Sequence, residues 1–376
     1  MAQPERAELI RRIEGARGAR LLCFLTSDRQ NASQQIQKDV MPLFYEHLRQ
    51  MGSTERIDVF IYTLGGDTLA AFGIGRLLRE FAGWVGALVP EKCYSAGTLF
   101  VVGANEIVMT RAATLSPFDP SIVRPLNPAV EMAPGKRQLL PISVESVAGF
   151  KGLVTEDWNI KGEEALTSAF RTLAEKVHPL ALGDVYRSRQ QIELLATKLL
   201  NEHRPGDEMV PRIVMTLTKD LGSHDYLISR REARELLGKQ IAPENLEVED
   251  LIWELYQDFA AEMELRVPYD GNTILQEAAT KAGGSLTAPI KVLHRLAIVE
   301  SLHGSHVAEK EVQLTETKIP VPGPVPGVMM PIKGVQEEPI RAGWKFYKGT
   351  ERTKSVETGG KQPSEKDEKP RSRRKK

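Results

Sequence analysis

Apolar residues along the chain change rhythm from one segment to the next. Residues 19–27 (ARLLCFLTS) form a short unbroken apolar run, entered from a basic, helical-looking segment, and predict a buried strand. After the polar stretch Asp28–Ser33, the residues Val40, Leu43, Phe44, His47 and Leu48 recur at spacings of three and four. That period predicts a helix, with Gly52 as its C-cap. Arg56–Thr63 (RIDVFIYT) returns to strand character and is broken by Gly65-Gly66. Asp67 is placed as the N-cap of a second helix, whose buried stripe is Ala70, Ile74, Leu77, Leu78 and Phe81. Trp84–Pro90 predicts another strand, the turn Tyr94-Ser95-Ala96-Gly97 leads into an apolar helix, and Glu106–Thr110 is strand-like again. Strands alternating with helices at this spacing predict an α/β layer structure.

From about 160 to 240 the pattern is helical. Leu166, Phe170, Leu173 and Val177 make one stripe, Ile192, Leu195, Ala196 and Leu199 another, and Ser229 with Glu232 reads as a capping box ahead of Gly238. Residues 246–264 are amphipathic; 290–301 and the alternating 311–319 read as two strands. From Pro320 the Pro/Gly-rich PVPGPVPGVMMP predicts no regular core element, and the end has the composition of a disordered tail. The divisions expected are a helical lead-in (1–18), a main domain (19–240), a small C-terminal α+β region (241–318), and a linker with a basic tail (319–376).

Composition narrows the function classes. The 376 residues carry 50 basic and 50 acidic side chains, so no global field draws the molecule to nucleic acid or anionic lipid. Residues 349–376 hold ten basic and five acidic side chains, which makes the basic end local; it is read as a solubilising extension rather than a nucleic-acid arm. Cys23 and Cys93 are the only cysteines and neither lies in a metal-type cluster, so no disulfide framework, structural zinc or cofactor is expected. No apolar run has the length of a membrane span and the N-terminus lacks a signal-type apolar core, so the expected compartment is the cytoplasm.

Two glycine-containing turns carry the chemistry. Thr63-Leu64-Gly65-Gly66-Asp67 follows one strand and Tyr94-Ser95-Ala96-Gly97-Thr98 follows the next. In an open α/β sheet, ligands bind beyond the carboxyl ends of the strands, so the turns are expected to face one cleft. A glycine pair can aim backbone N–H groups at a ligand without a Cβ in the way. A serine opening a helix presents its Oγ beside the N–H of the following residue. Together these are parts of an acyl-transfer site: Ser95 as nucleophile, and the N–H groups of Ala96 and of Gly65 or Gly66 as oxyanion hole. Each turn alone has an ordinary structural reading, as helix N-cap or strand-to-helix loop. Their joint occurrence is the signal.

These stretches, with HDYLISRREARELLG at 224–238, resemble the Clp protease/crotonase superfamily, and within it the serine dehydrogenase proteinase family, related to the signal peptide peptidase A group. The resemblance covers roughly residues 19–240. It implies a Clp/crotonase-like spiral of ββα units with a helical extension, a peptide substrate and a homo-oligomer; an ATPase partner is left open. It matches Ser95 to the nucleophile, Gly65, Gly66 and Ala96 to the oxyanion hole, and Asp225 to the acid of a Clp-type triad. The triad histidine has no match: its place reads Ser116-Pro117-Phe118-Asp119-Pro120.

Three replacements for that base are open. His224 adjoins Asp225 and is ranked first. Lys136 follows, at a separation from Ser95 like that of the Ser-Lys dyad in membrane-associated relatives, and requires burial to lower its pKa. His178 is read as a turn residue. His303 and His306 are taken as surface residues, His47 as a satisfied core residue, and Glu145 and Glu163–Glu164 as solvated charges. Two other functions remain beside a serine peptidase: a catalytically degenerate scaffold or partner-binding module, which the missing histidine favours, and a crotonase-like acyl-CoA enzyme, for which Ser95 is superfluous.

Overall fold

The computed structural model describes residues 3–118, 121–122, 125–133, 136–283, 288–322, 329–348 and 356–357. They divide into two compact units. The first holds everything described up to Pro268, Arg295–Ala308 and Trp344–Glu351; the second holds Tyr269–His294, Glu309–Gly343 and the described residues beyond Arg352.

In the first unit, α1 (Gln3–Arg17) leads into β1 (Arg20–Thr26) and a two-residue hairpin, β2 (Asp28–Arg29) and β3 (Ala32–Ser33). α2 (Val40–Met51), β4 (Thr54–Tyr62), α3 (Thr68–Arg79), β5 (Ala82–Val89), β6 (Lys92–Cys93), α4 (Ala96–Val102), β7 (Glu106–Met109) and β8 (Thr114–Leu115) follow. β1, β4, β5 and β7 lie side by side and parallel, in that order. The α/β expectation holds, and its reason is visible in the strands: they are apolar on both faces, as a parallel sheet covered on both sides requires.

The ββα spiral is visible as a repeat. β5 runs into the short β6 and then α4; β7 runs into the short β8. The long strands pair with each other, and so do the short ones, Lys92↔Thr114 and Cys93↔Leu115. β4 begins the series, since Thr63, just beyond it, bridges to Cys93 before α3 starts.

The first two helices form as their patterns predict. α2 buries Val40, Phe44, His47 and Leu48, and Gly52, at φ +72°, donates its N–H to the Leu48 carbonyl. α3 buries Ala70, Ala71, Ile74 and Leu78, and the Asp67 carboxylate caps it by accepting from the N–H groups of Leu69 and Ala70.

Next come β9 (Ser121–Ile122), β10 (Ala129–Ala133), β11 (Lys136–Leu139), β12 (Ile142–Ser143), α5 (Val144–Gly152), α6 (Glu163–Lys176), α7 (Pro179–Asn201) and α8 (Val210–Met215). β10 and β11 pair as one ribbon, β9 and β12 as another. α7 buries the predicted Ile192, Leu195, Ala196 and Leu199. The stripe predicted on α6 behaves differently: that helix buries no residue, and Phe170 is 57% exposed. Its amphipathic period is real but only partly covered: Leu166 and Leu173 are half-buried, and Val177 packs on Ala181 and Val185.

β13 (Ile228–Ser229) and α9 (Arg230–Leu237) close the helical stretch. The capping box is half made: the Ser229 hydroxyl accepts from the Glu232 N–H, while the Glu232 carboxylate takes a hydrogen bond from the Tyr226 hydroxyl instead of reaching back. α10 (Leu246–Glu262) packs against α1, and Arg6 on α1 sits among three carboxylates, Asp258, Glu262 and Glu300.

The C-terminal strands are longer than the alternation suggests. α11 (Gly271–Lys281) is followed by β14 (Ile290–Ser301), β15 (Gly304–Pro322), β16 (Met329–Tyr347) and the short β17 (Val356–Glu357). In the first unit, β14 lies antiparallel to β1, with Cys23 opposite Glu300. In the second, the Tyr269 ring meets His294 edge-on at 4.3 Å and its hydroxyl donates to Glu337. Strand β16 corrects the expectation that the chain from 319 is only linker and tail. Most of its assessed positions are exposed, so apolar alternation carries no trace of it. The basic end beyond residue 357 lies outside the described residues.

Candidate active site

Ser95 sits at the junction of β6 and α4 with φ +52° and ψ −115°, a conformation that L side chains rarely adopt. A non-glycine residue held there costs about 1–3 kcal/mol and persists only where its surroundings over-determine it. Here several contacts do so. The Ser95 carbonyl accepts the Leu99 N–H at 3.0 Å, and the Gly97 N–H closes onto the Tyr94 carbonyl at 2.8 Å. The Ser95 N–H donates to the Ser116 Oγ at 2.8 Å. The serine side chain makes no capping bond, so the N-cap reading of this residue does not apply.

The second turn presses directly on the first. Gly65 has φ +101°, and a Cβ there would stand 2.7 Å from both the Ser95 Cβ and the Tyr94 carbonyl oxygen. Gly66, at φ +144°, lies against the backbone of Ile36, which a Cβ would meet at 2.4 Å. That neighbour clamps the pair: the Ile36 N–H donates to the Gly65 carbonyl and the Asp67 N–H to the Ile36 carbonyl, both at 2.8 Å. The two predicted turns are therefore in contact. The Gly65 N–H is already given to the Thr63 Oγ1 at 3.0 Å, which makes Gly66 the better candidate donor of the two. Ala96 opens α4, and first-turn N–H groups of a helix have no intrahelical acceptor.

A three-stranded sheet, ordered β13, β8, β6, gathers the remaining candidates. β6 and β8 run parallel, so Ser95 and Ser116 leave the sheet at the same end. β13 is antiparallel to β8, with Ile228 opposite Leu115, so the segment 224–227 enters at that end. β8 lies between, which sets β13 two strand spacings, roughly 10 Å, from β6. His224 is half-buried and its Nδ1 has no hydrogen-bond partner. Asp225 is exposed, and its N–H bonds to the Ser223 hydroxyl. Among the described residues no hydrogen bond joins His224 to Asp225 or to Ser95. The pair lies in a turn that the Tyr226 N–H closes onto the Ser223 carbonyl at 3.2 Å. Lys136 begins β11, but its side chain lies outside the described residues, as does that of Glu145.

Other ionisable groups have structural work. Burial lowers the pKa of Lys92, but its 2.6 Å bond to Asp28 and the surrounding charges outweigh this and hold it above its ordinary value, so it stays protonated. Burial pushes both cysteine thiols up, which leaves Cys23 and Cys93 inert. His178 caps α7, accepting from the Leu180 N–H. His47 is buried, bonded to the Ser301 hydroxyl at 2.7 Å and to His306 at 3.1 Å. His306 is buried with it, and this corrects its reading as a surface residue: the turn between β14 and β15 lays the histidine on α2, a long-range packing that no local pattern announces. Glu163 and Glu164 are exposed in the first turn of α6.

Ser116 is the residue that sequence reasoning passed over. It stands where the resemblance leads one to look for a histidine, and it is buried against the candidate nucleophile. The motif comparison was the available signal. Among the described residues, no group of three or more His, Cys, Asp or Glu side chains is arranged to hold a metal ion, and no helix is long and apolar enough to cross a membrane.

Comparison with known proteins gives the site a family context. Residues 2–139 match the family described as ClpP-like SDH-type serine proteinases, so the resemblance drawn from the two turns holds at family level over that stretch. Two uncharacterized proteins of Methanocaldococcus jannaschii are each 26% identical, one over 190 residues and the other over 241. These alignments cover 50% and 62% of this chain; the chain spans about half of the first relative (54%) and 70% of the second. Among solved structures, a mutant of the 1510-N membrane-bound stomatin-specific protease aligns with 58% of this chain and 79% of its own, at 13% identity and a TM-score of 0.35. ClpP1 from Listeria monocytogenes aligns with 60% of this chain and 94% of its own, at 14% identity and a TM-score of 0.31.

Proposed function

We propose that the chain is a serine peptidase that cleaves peptide bonds through an acyl-enzyme on Ser95. The observation that carries this reading is the strained backbone of Ser95, held at a strand-to-helix junction with Gly65 packed against its Cβ. In this reading the hydroxyl works beside the N–H groups of Ala96 and Gly66. The Oγ loses its proton to a base as it attacks the scissile carbonyl carbon, and the two N–H groups receive the oxyanion. The base then protonates the leaving amine, and water repeats the sequence on the acyl-enzyme.

Lys136 is our choice of base. The family-matched stretch contains both turns and Lys136, and it ends at 139, before His224 and Asp225. A lysine serves only when unprotonated, so its surroundings must depress its pKa. A second reading, with His224 as base and Asp225 as its acid, draws support from the unpartnered Nδ1 of His224 and from the entry of that segment at the Ser95 end of the small sheet.

The expected substrate is a peptide or an extended protein segment, and the expected assembly a homo-oligomer. The exposed apolar residues Trp158, Phe170, Leu180 and Tyr186, all between positions 158 and 186, support the assembly as candidates for cover by a second copy. Two buried free thiols are in keeping with a reducing cytoplasm.

Intact-mass analysis after treatment with a fluorophosphonate tests the scheme. One adduct per chain is expected on the wild type and none on Ser95→Ala. Lys136→Met is expected to abolish the adduct and His224→Gln to leave it; the reverse assigns the base to His224. The labelling rate should fall as pH drops through the pKa of the base, since only its unprotonated form takes the serine proton. A folded, unlabelled wild type would overturn the peptidase reading in favour of a scaffold.

A further inference from the structure

We propose that Ser116 is a positioning residue that fixes the backbone of Ser95 in its reactive conformation, an inference that rests on the reading of Ser95 as nucleophile. The geometry is specific. Ser116 Oγ accepts the Ser95 N–H at 2.8 Å and donates its own proton to the Pro117 carbonyl at 3.0 Å. With its hydrogen committed there, the hydroxyl keeps a lone pair aimed at Ser95. The Ser116 N–H in turn donates to the Thr98 Oγ1 at 3.2 Å, and that hydroxyl donates to the Cys93 carbonyl at 2.9 Å. The strand β8 is thus tied to both sides of the turn, to Cys93 before Ser95 and to Thr98 after it.

The consequence follows from peptide planarity. Fixing the Ser95 N–H fixes the plane between Tyr94 and Ser95, and the Leu99 bond to the Ser95 carbonyl fixes the plane that follows. Those two planes determine where the Ser95 Cβ, which carries the Oγ, and the Ala96 N–H point. Without the Ser116 acceptor, the residue can relax from φ +52° toward an ordinary conformation and carry both groups away from the cleft. Ser116 is 2% exposed, so water is a poor substitute for the lost acceptor. Among the described residues no hydrogen bond joins that hydroxyl to the Ser95 Oγ, which separates this role from that of a base.

The test uses the full chain and compares the wild type with Ser116→Ala and Ser116→Thr. The alanine keeps the backbone link to Thr98 and removes only the acceptor; the threonine restores an Oγ. Fluorophosphonate labelling followed by intact mass should be about tenfold slower in Ser116→Ala, equivalent to about 1.4 kcal/mol. The loss should fall on the maximal inactivation rate and not on the reagent concentration for half-saturation, and Ser116→Thr should recover most of it. The pH profile of labelling should keep the wild-type inflection, because the base is unchanged. Amide hydrogen exchange at Ser95 supplies a readout independent of chemistry, expected to accelerate in the alanine variant with the melting temperature within a few degrees of wild type.

A labelled wild type with Ser116→Ala equally fast and the Ser95 amide equally protected would overturn the inference while leaving the nucleophile intact. Equal slowing in the alanine and threonine variants would also overturn it, by tracing the effect to packing. A wild type that takes no label sinks the nucleophile instead. The two failures are therefore distinct.

Discussion

At Gly65 a methyl group would stand 2.7 Å from the Ser95 Cβ and from the Tyr94 carbonyl oxygen, and the φ of +101° is itself closed to most L residues. Gly65→Ala is accordingly expected to push the two turns apart, slowing fluorophosphonate labelling of Ser95 at least a hundredfold and costing about 1–3 kcal/mol of stability. Gly15, within α1, has no atom near its missing Cβ and an ordinary φ. Gly15→Ala should stabilise by about 0.4–1 kcal/mol and leave labelling unchanged. Urea melts beside labelling rates on the two variants check the contrast, and similar behaviour of both would refute the packing argument.

Elements with a buried stripe announced themselves. α2, α3 and α7 follow their apolar spacing because that spacing is the record of what they pack against. The two turns were legible for a related reason: only certain residue types tolerate φ +52°, +101° and +144°, so the backbone leaves its mark on the sequence. What stayed hidden depends on distant partners. Ser116 has no local signature, and its meaning comes from a strand pairing with β6; His306 is covered by α2; β16 lacks an apolar alternation altogether. α6 is the opposite case, a clear stripe of which no residue is fully buried, exposing Phe170 and followed by Leu180, 64% exposed, at the start of α7. If a second copy covers these residues, Phe170→Asp with Leu180→Asp should lower the mass measured by light scattering from oligomer to protomer. An unchanged mass would place the interface elsewhere.

At the scale of the whole molecule, the N-terminal helix is a member of the core, not a lead-in to it. Arg6 is 2% exposed, stacks over the Phe259 ring at 4.1 Å, and neutralises carboxylates from α10 and β14. Burial raises the pKa of the Glu300 carboxyl while Arg6 opposes the rise. Removing the guanidinium leaves buried carboxylates uncompensated, which typically costs about 3–5 kcal/mol. Arg6→Met, which keeps the aliphatic stem, is expected to lose that amount in urea denaturation at pH 7. A much smaller loss would mean that the carboxylates take up protons instead, and the deficit would then shrink further toward acid pH.

The small sheet that gathers the candidate site also imposes an order in time. β6 and β8 leave the ribosome early, but β13, which completes the other side of β8, arrives more than a hundred residues after Ser116. At synthesis rates of about 5–20 residues per second, that interval lasts on the order of 6–22 s. Throughout it, the strand that anchors Ser95 has an open edge and the nascent chain lacks a finished cleft. In the proposed peptidase, completion of the cleft therefore waits until translation is well advanced, a delay written into chain order.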